Sequence, residues 1–189
     1  CNTFLKTGSR SLTMKTLLTI VLFTSLGLCI SCDLGLGINE PTELEKLPPL
    51  TTTGENTFGC LVNGEAFVVT NTSHISAFYQ QKLLFISAGI DKNGIDKGVS
   101  FTVYETESES NTFNLTDTLN TGCSYSDFSD YSDSYCQFES ENILVGEFNI
   151  NSFDAENFII SGTFEFSTAT AQCDTVHITD GRFDVQYIP

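Results

Sequence analysis

Residues 144–166, Leu-Val-Gly-Glu-Phe-Asn-Ile-Asn-Ser-Phe-Asp-Ala-Glu-Asn-Phe-Ile-Ile-Ser-Gly-Thr-Phe-Glu-Phe, are the stretch that decides the fold. Apolar residues or glycines fall on every second position, and the set that shares one face is Leu144, Gly146, Phe148, Ile150, Phe158, Ile160, Gly162, Phe164 and Phe166. The residues between them point the other way and are polar, namely Glu147, Asn149, Thr163 and Glu165. One buried face and one wet face are typical of antiparallel sheet.

The same period of two begins near Thr57, where a hairpin is expected. Asn63-Gly64 separates two apolar runs, and this dipeptide favours a type I′ turn because both residues tolerate positive φ. Such a turn pairs Cys60 with Phe67 and Phe58 with Val69, which predicts a buried sulfur at Cys60. Further strands are predicted at 74–79, 83–88, 99–104 and 176–187.

The last of these strands changes parity at Asp180-Gly181. We interpret this as a bulge in one long strand, with a tight hairpin as the alternative. About ten short strands and no helical period after Ser31 predict an all-β fold, an antiparallel β-sandwich. A partly open β-barrel is the alternative.

Composition and charge exclude some functions. The chain has 189 residues, which suits a single domain, and carries 8 basic and 24 acidic residues for a net charge of −16. A polyanion without a basic stripe repels nucleic acid, so no nucleic-acid partner is expected.

Neither His74 nor His177 lies in a nucleophile motif, and His177 should face outward between two apolar neighbours. We predict a non-catalytic protein without cofactor or metal, and a carboxylate-dependent hydrolase is the enzyme alternative.

The N-terminal region has the pattern of an export signal. Met14-Lys15 precedes an uncharged apolar run over 16–30 that is too short to span a bilayer, which predicts a signal peptide over 14–31. Residues 1–13 are then interpreted as mis-translated upstream sequence, with a fragment boundary as the alternative. The segment Leu28-Cys29-Ile30-Ser31-Cys32 resembles a bacterial lipobox, although Cys29 stands where Leu is usual. The resemblance implies cleavage after Ser31 and a diacylglyceryl group on Cys32. The alternative is an ordinary secretory signal cleaved nearby.

Residues 32–56 are rich in Gly, Pro and Thr and show no sustained period, which predicts a flexible tether. A single β domain would then occupy 57–189. The membrane would be a partner through the lipid anchor alone, because the protein lacks the clustered Lys and Arg that bind anionic headgroups. We expect a lipid-anchored protein of the bacterial envelope and favour the outer membrane. The sequence does not distinguish the periplasmic face of that membrane from the cell-surface face.

Three segments carry a family resemblance: 57–64 (TFGCLVNG), 161–166 (SGTFEF) and 178–185 (ITDGRFDV). Together they resemble a domain-of-unknown-function family of Gram-negative envelope lipoproteins. The resemblance implies a lipid-anchored protein with a β-rich fold. It implies no activity and no catalytic residues.

Four cysteines follow the leader, and their even number in an exported domain predicts two disulfides among three connectivities. We favour Cys123 with Cys136, which bracket one polar loop, and Cys60 with Cys173. Four reduced or partly paired thiols are the alternative.

The bracketed loop is composed of Tyr, Ser, Asp and one Phe, a composition used by binding loops. The loop is therefore a candidate site for a glycan or protein ligand through Tyr125, Phe128, Tyr131 and Tyr135. The alternative interpretation is a solvated connection in an acidic protein.

Overall fold

The computed structural model describes residues 40–92, 95–104, 111–128 and 135–189, with Lys92 and Ile95 described by their backbone alone. Within these ranges Pro41–Pro189 forms one compact unit of eleven strands and three short 3-10 turns. The strands are β1 Thr57–Val62, β2 Glu65–Val69, β3 Ile75–Gln80, β4 Leu83–Lys92, β5 Ile95–Tyr104, β6 Thr112–Asn114, β7 Thr121–Asp127, β8 Cys136–Phe138, β9 Ile143–Asp154, β10 Ile159–Thr168 and β11 Val176–Gln186. The turns are Leu44–Lys46, Thr72–His74 and Ser140–Asn142. None of the described helical segments is long and apolar enough to cross a membrane.

The strands form two antiparallel sheets. The first has six strands in the order β2-β1-β11-β10-β9-β6, and the second has five in the order β3-β4-β5-β7-β8. The two sheets do not close into a barrel, and their inner faces share one hydrophobic core. The predicted all-β antiparallel sandwich is confirmed, and the barrel alternative is not the fold.

Phenylalanine rings fill the space between the sheets. Phe101 of the five-stranded sheet contacts Phe164 and Phe148 of the six-stranded sheet, with ring centroids 4.7 and 5.0 Å apart. Phe58 stacks on Phe164 at 5.2 Å within the six-stranded sheet. Aromatic rings bury large areas, so this cluster explains how a chain with 16 Phe and no Trp builds its core.

The predicted alternation holds along most of β9 and β10 but is wrong at two residues. Leu144 is 60% exposed, because β9 has an irregular register there and Ile143 takes the buried place opposite Thr168. Phe158 is 44% exposed because it precedes β10 in a turn, where its φ is 56°. Both deviations arise where a strand bulges or begins, and neither changes the sheet.

The local features that the sequence predicted by turn chemistry are present. Cys60 faces Phe67, and Asn63 and Gly64 have φ of 50° and 86°, as a type I′ turn requires. β11 is one long strand with a bulge at Asp180, whose φ is 53°, and its register shifts there against both neighbouring strands. The predicted hairpin and the predicted bulge are confirmed.

The predicted tether boundary is wrong, because the compact unit begins at Pro41 and not at 57. Leu47 is buried, and Arg182 donates a hydrogen bond to the Pro48 carbonyl oxygen. Asn56 accepts a hydrogen bond from the Gln186 N–H and turns the chain into β1 with a φ of 54°. We call residues 47–56 the N-terminal strap.

One buried carboxylate holds the N-terminal strap in place. Phe183 and Val185 face the core, so Asp184 between them points outward and lies under the strap, where it is 1% exposed. Its Oδ2 accepts hydrogen bonds from the Thr51 hydroxyl (2.6 Å) and from the N–H groups of Thr53 (3.0 Å) and Glu55 (3.2 Å). Its Oδ1 accepts a bond from the Gly54 N–H at 2.8 Å.

These contacts decide the ionisation of Asp184. Burial alone would raise its pKa, but the Thr51 hydroxyl and the three backbone N–H groups stabilise the charged form and together lower the pKa below the usual value. The strap is ordered because its backbone N–H groups stabilise the Asp184 carboxylate, whose burial would otherwise be energetically costly. The leader, residues 1–13 and Cys32 lie outside the described residues.

Candidate functional site

The structure replaces the predicted disulfide pairs with a different one. Cys136 bonds to Cys173, with their Cα atoms 6.0 Å apart, and Cys60 and Cys123 are unpaired buried thiols. The prediction of Cys123–Cys136 is wrong because β7 and β8 pair with Cys136 opposite Asp127. Cys123 is four residues earlier on β7, which places it roughly 13 Å away along the strand, beyond the reach of a disulfide.

The predicted Cys60–Cys173 pair is wrong for a related reason. Cys60 lies in the middle of β1, is fully buried and faces Phe67, whereas Cys173 is half-buried in the connection between β10 and β11. The observed bond therefore joins β8 of the five-stranded sheet to a connection of the six-stranded sheet. It ties the two sheets together at one end of the sandwich.

The two unpaired thiols are unreactive by their environment. Burial raises the pKa of Cys60 to about 12. Burial, with a smaller contribution from the Glu139 carboxylate, raises the pKa of Cys123 even further. Because the thiolate is the nucleophile, both residues behave as small core side chains.

The structure divides the aromatic residues of the predicted ligand loop. The Tyr125 ring is 1% exposed and packs on Phe138 with centroids 6.0 Å apart, so it cannot offer a stacking face to a ligand. Phe128 stacks on Tyr135 at 5.5 Å, and Tyr135 is 64% exposed. Tyr131 lies outside the described residues. The expectation of an exposed Tyr125 is wrong because β7 continues to Asp127 and directs residue 125 into the core.

Tyr125 instead lines a cavity at the end of the sandwich, which we call the end cavity. It measures about 500 Å³, within the usual range for ligand pockets, and lies beside the Cys136–Cys173 disulfide. Both sheets line it. The six-stranded sheet and its connections contribute Val62, Asn63, Glu65, Asp174, Thr175 and Val176, and the five-stranded sheet contributes Lys97, Tyr125, Asp127 and Cys136.

The polar groups of the end cavity are arranged by strand register. Lys97 of β5 lies directly opposite Asp127 of β7, and its Nζ is 2.8 Å from Asp127 Oδ2. The same oxygen accepts a hydrogen bond from the Tyr125 hydroxyl at 3.3 Å. Burial and the neighbouring Asp127 carboxylate raise the pKa of Tyr125, so its hydroxyl stays protonated and donates. The site thus contains the Lys97–Asp127 ion pair and a Tyr125 hydroxyl that Asp127 orients.

Neither histidine is among the residues that line the end cavity, and both are exposed. His177 is exposed, as predicted, and its Nδ1 contacts the Ser167 hydroxyl of the neighbouring strand at 2.8 Å. His74 is exposed at a 3-10 turn. Across the described ranges, no group of three or more His, Cys, Asp or Glu side chains is arranged to hold a metal ion.

Sequence reasoning found Tyr125 but missed Lys97, Asp127, Glu65 and Asp174. The signal that would have found them is the strand order, because these residues come from four separate parts of the chain. An isolated Lys or Asp at the end of a predicted strand carries no such information.

No protein-family model, curated protein or solved structure matches the chain. The three segments that carry the lipoprotein resemblance lie in β1 with its turn, in β10 and in β11. These strands are adjacent in the six-stranded sheet, in the order β1-β11-β10. The three segments therefore form one continuous structural unit within that sheet.

Proposed function

We propose that the protein is a lipid-anchored protein of the bacterial envelope whose β-sandwich is a non-catalytic binding module. The single observation that carries the binding role is the end cavity, a concave site built by both sheets and held by a disulfide. The leader and the lipobox-like segment ending at Cys32 support the anchor. A disulfide in the folded domain supports an exported, oxidising location.

The ordered N-terminal strap shortens the connection between the domain and the proposed anchor. With the compact unit beginning at Pro41, only residues 33–40 separate the domain from an anchored Cys32, where the sequence alone suggested a tether up to 56. A connection of that length reaches roughly 30 Å at full extension. An anchored protein would therefore hold its domain close to the bilayer surface, and its ligand would be found near that surface.

Metabolic labelling with tritiated palmitate tests the anchor. We expect label in the wild-type protein and in Cys29→Leu, and no label in Cys32→Ser, because only the cysteine after the cleavage site would receive the lipid. Cys29→Leu is the matched control, since it removes a thiol three residues away and places there the residue that is usual in a lipobox. Label that persists in Cys32→Ser, or an unlabelled wild-type protein, would overturn the anchor.

A glycan ligand is the second candidate, and one observation favours it. Tyr135 is exposed and stacks on Phe128 beside the end cavity's disulfide residue Cys136, which leaves an aromatic face for a sugar ring. A glycan array should then show binding that is lost in Tyr135→Ala and retained in Tyr104→Ala, which removes another exposed tyrosine. An array without any bound sugar would end this candidate.

A further inference from the structure

The charges of the end cavity do not balance. Lys97 is the only cation among its described lining residues, and Asp127 already holds its ammonium group at 2.8 Å. Glu65 and Asp174 are exposed in the lining and form no ion pair with a described residue. Two carboxylates therefore remain for a ligand, in a protein whose net charge is −16.

The lining is also apolar over part of its surface. Val62 and Val176 are half-buried against the core, and the half-buried Cys136 of the disulfide contributes further apolar surface. Aliphatic stems of charged side chains cover such surface while the charged head stays in water. The end cavity thus combines an apolar wall with a negative rim.

We propose that the end cavity binds an organic cation on an aliphatic stem, such as an alkylammonium or alkylguanidinium group. This inference rests on the proposed binding function and names its ligand class. The stem would lie on Val62 and Val176, and the charged head would meet Glu65 and Asp174. An anionic ligand is disfavoured, because Lys97 is neutralised by Asp127 and the remaining charges would repel it.

Two sources can supply this chemistry: a lysine or arginine side chain of a partner protein, and a free polyamine. A strongly negative protein attracts either over long range, so affinity alone does not locate the site. The test must therefore distinguish binding in the end cavity from nonspecific attraction to the negatively charged surface.

A charge-matched pair of variants makes this separation. Glu65→Gln/Asp174→Asn removes two charges from the end cavity. Glu147→Gln/Glu165→Gln removes two charges from exposed residues that face each other on the outer side of β9 and β10. Both variants change only exposed side chains, so both should fold, and the net charge of the two proteins is the same.

Isothermal titration of the full-length, detergent-extracted protein with trilysine, spermine and triglutamate at constant ionic strength supplies the measurement. We expect trilysine, spermine or both to bind the wild-type protein, and triglutamate not to bind. The Kd should rise about tenfold in the end-cavity variant, as the loss of two partly screened ion pairs implies, and less than about twofold in the control. Binding of trilysine alone would identify a protein partner as the source, and binding of spermine alone a free polyamine.

Three results would overturn the inference: no binding of either cation, equal weakening in both variants, or equal binding of triglutamate. Amide chemical shifts provide an independent readout, since a ligand in the end cavity should move the signals of Val62, Lys97 and Val176. If cation binding fails while palmitate labelling of Cys32 succeeds, the ligand class is wrong and the anchor stands.

Discussion

Asp184→Asn is the substitution that most directly probes how the N-terminal strap is held. The carboxylate accepts four hydrogen bonds from Thr51, Thr53, Gly54 and Glu55 while almost fully buried. Asparagine has nearly the same shape but carries no charge, and one of its two polar atoms is an NH2 group. A donor would then face a donor from the strap, whichever way the amide is turned.

The expected loss of stability follows from these contacts. If the amide oxygen takes the place of Oδ2, three bonds survive but lose their charge assistance, at about 1 kcal/mol each. The Gly54 N–H is left without its acceptor, which costs about 1 kcal/mol more. Partial opening of the strap relieves some of this, so we expect the free energy of unfolding to fall by about 3 kcal/mol.

Urea denaturation at pH 7 measures this loss, and the midpoint should fall by roughly 2 M for a chain of this size. Hydrogen exchange should quicken at Thr53, Gly54 and Glu55 in particular. The matched control is Asp180→Asn, which makes the same charge change on the same strand at an exposed residue whose positive φ asparagine tolerates. An unchanged midpoint together with unchanged exchange in the strap would refute the reasoning.

The same carboxylate predicts a pH dependence. Because the folded-state pKa of Asp184 is lowered, its contribution to stability is present above the unfolded-state pKa near 3.9 and is lost as the pH falls through the lower folded value. The wild-type protein should lose stability more steeply than Asp184→Asn on acidification below about pH 4. Parallel stability curves for the two proteins would contradict this assignment.

Three further predictions concern the core and the disulfide. Replacing both Cys136 and Cys173 by Ser should lower the free energy of unfolding by about 4 kcal/mol, because the disulfide closes a long loop with a sequence separation of 37. Calorimetry should show that adding reductant lowers the free energy of unfolding of the wild-type protein by the same amount. Gly181→Ala should lower the free energy of unfolding by about 1–3 kcal/mol or more, since a Cβ there would lie 2.4 Å from the Phe164 ring; an unchanged Tm would disprove this contact. Cys60 should resist iodoacetamide at pH 8 until denaturant is added, because burial raises its pKa to about 12. Modification of Cys60 itself in the native protein would contradict its burial.

The parts of the fold that sequence reasoning predicted depend on local chemistry. Asn63-Gly64 specifies its own turn through two positive φ angles, and Asp180, a residue type that tolerates the left-handed region, takes the positive φ of the bulge. Alternating Phe and polar residues specify which face of β9 and β10 is buried. These signals are readable because each involves neighbours in the chain.

The strap, the disulfide and the end cavity depend on contacts between distant residues. The Gly-, Pro- and Thr-rich strap has the composition of a tether, and what orders it is Asp184, which is 130 residues away from Gly54. The Cys136–Cys173 bond depends on which residue of β7 faces Cys136, and the Lys97–Asp127 pair depends on β5 and β7 being neighbours. Such contacts become predictable only when the strand order is known.

Intact mass of the membrane-extracted protein, alkylated in denaturant with and without reduction, tests most directly the claim that this is a lipid-anchored, disulfide-linked sandwich. We expect a chain that begins at Cys32 with added acyl mass, two alkylated cysteines before reduction (Cys60 and Cys123) and four after it. An unlipidated chain with a different start would contradict the anchor. Four protected or four reactive thiols before reduction would contradict the observed pairing.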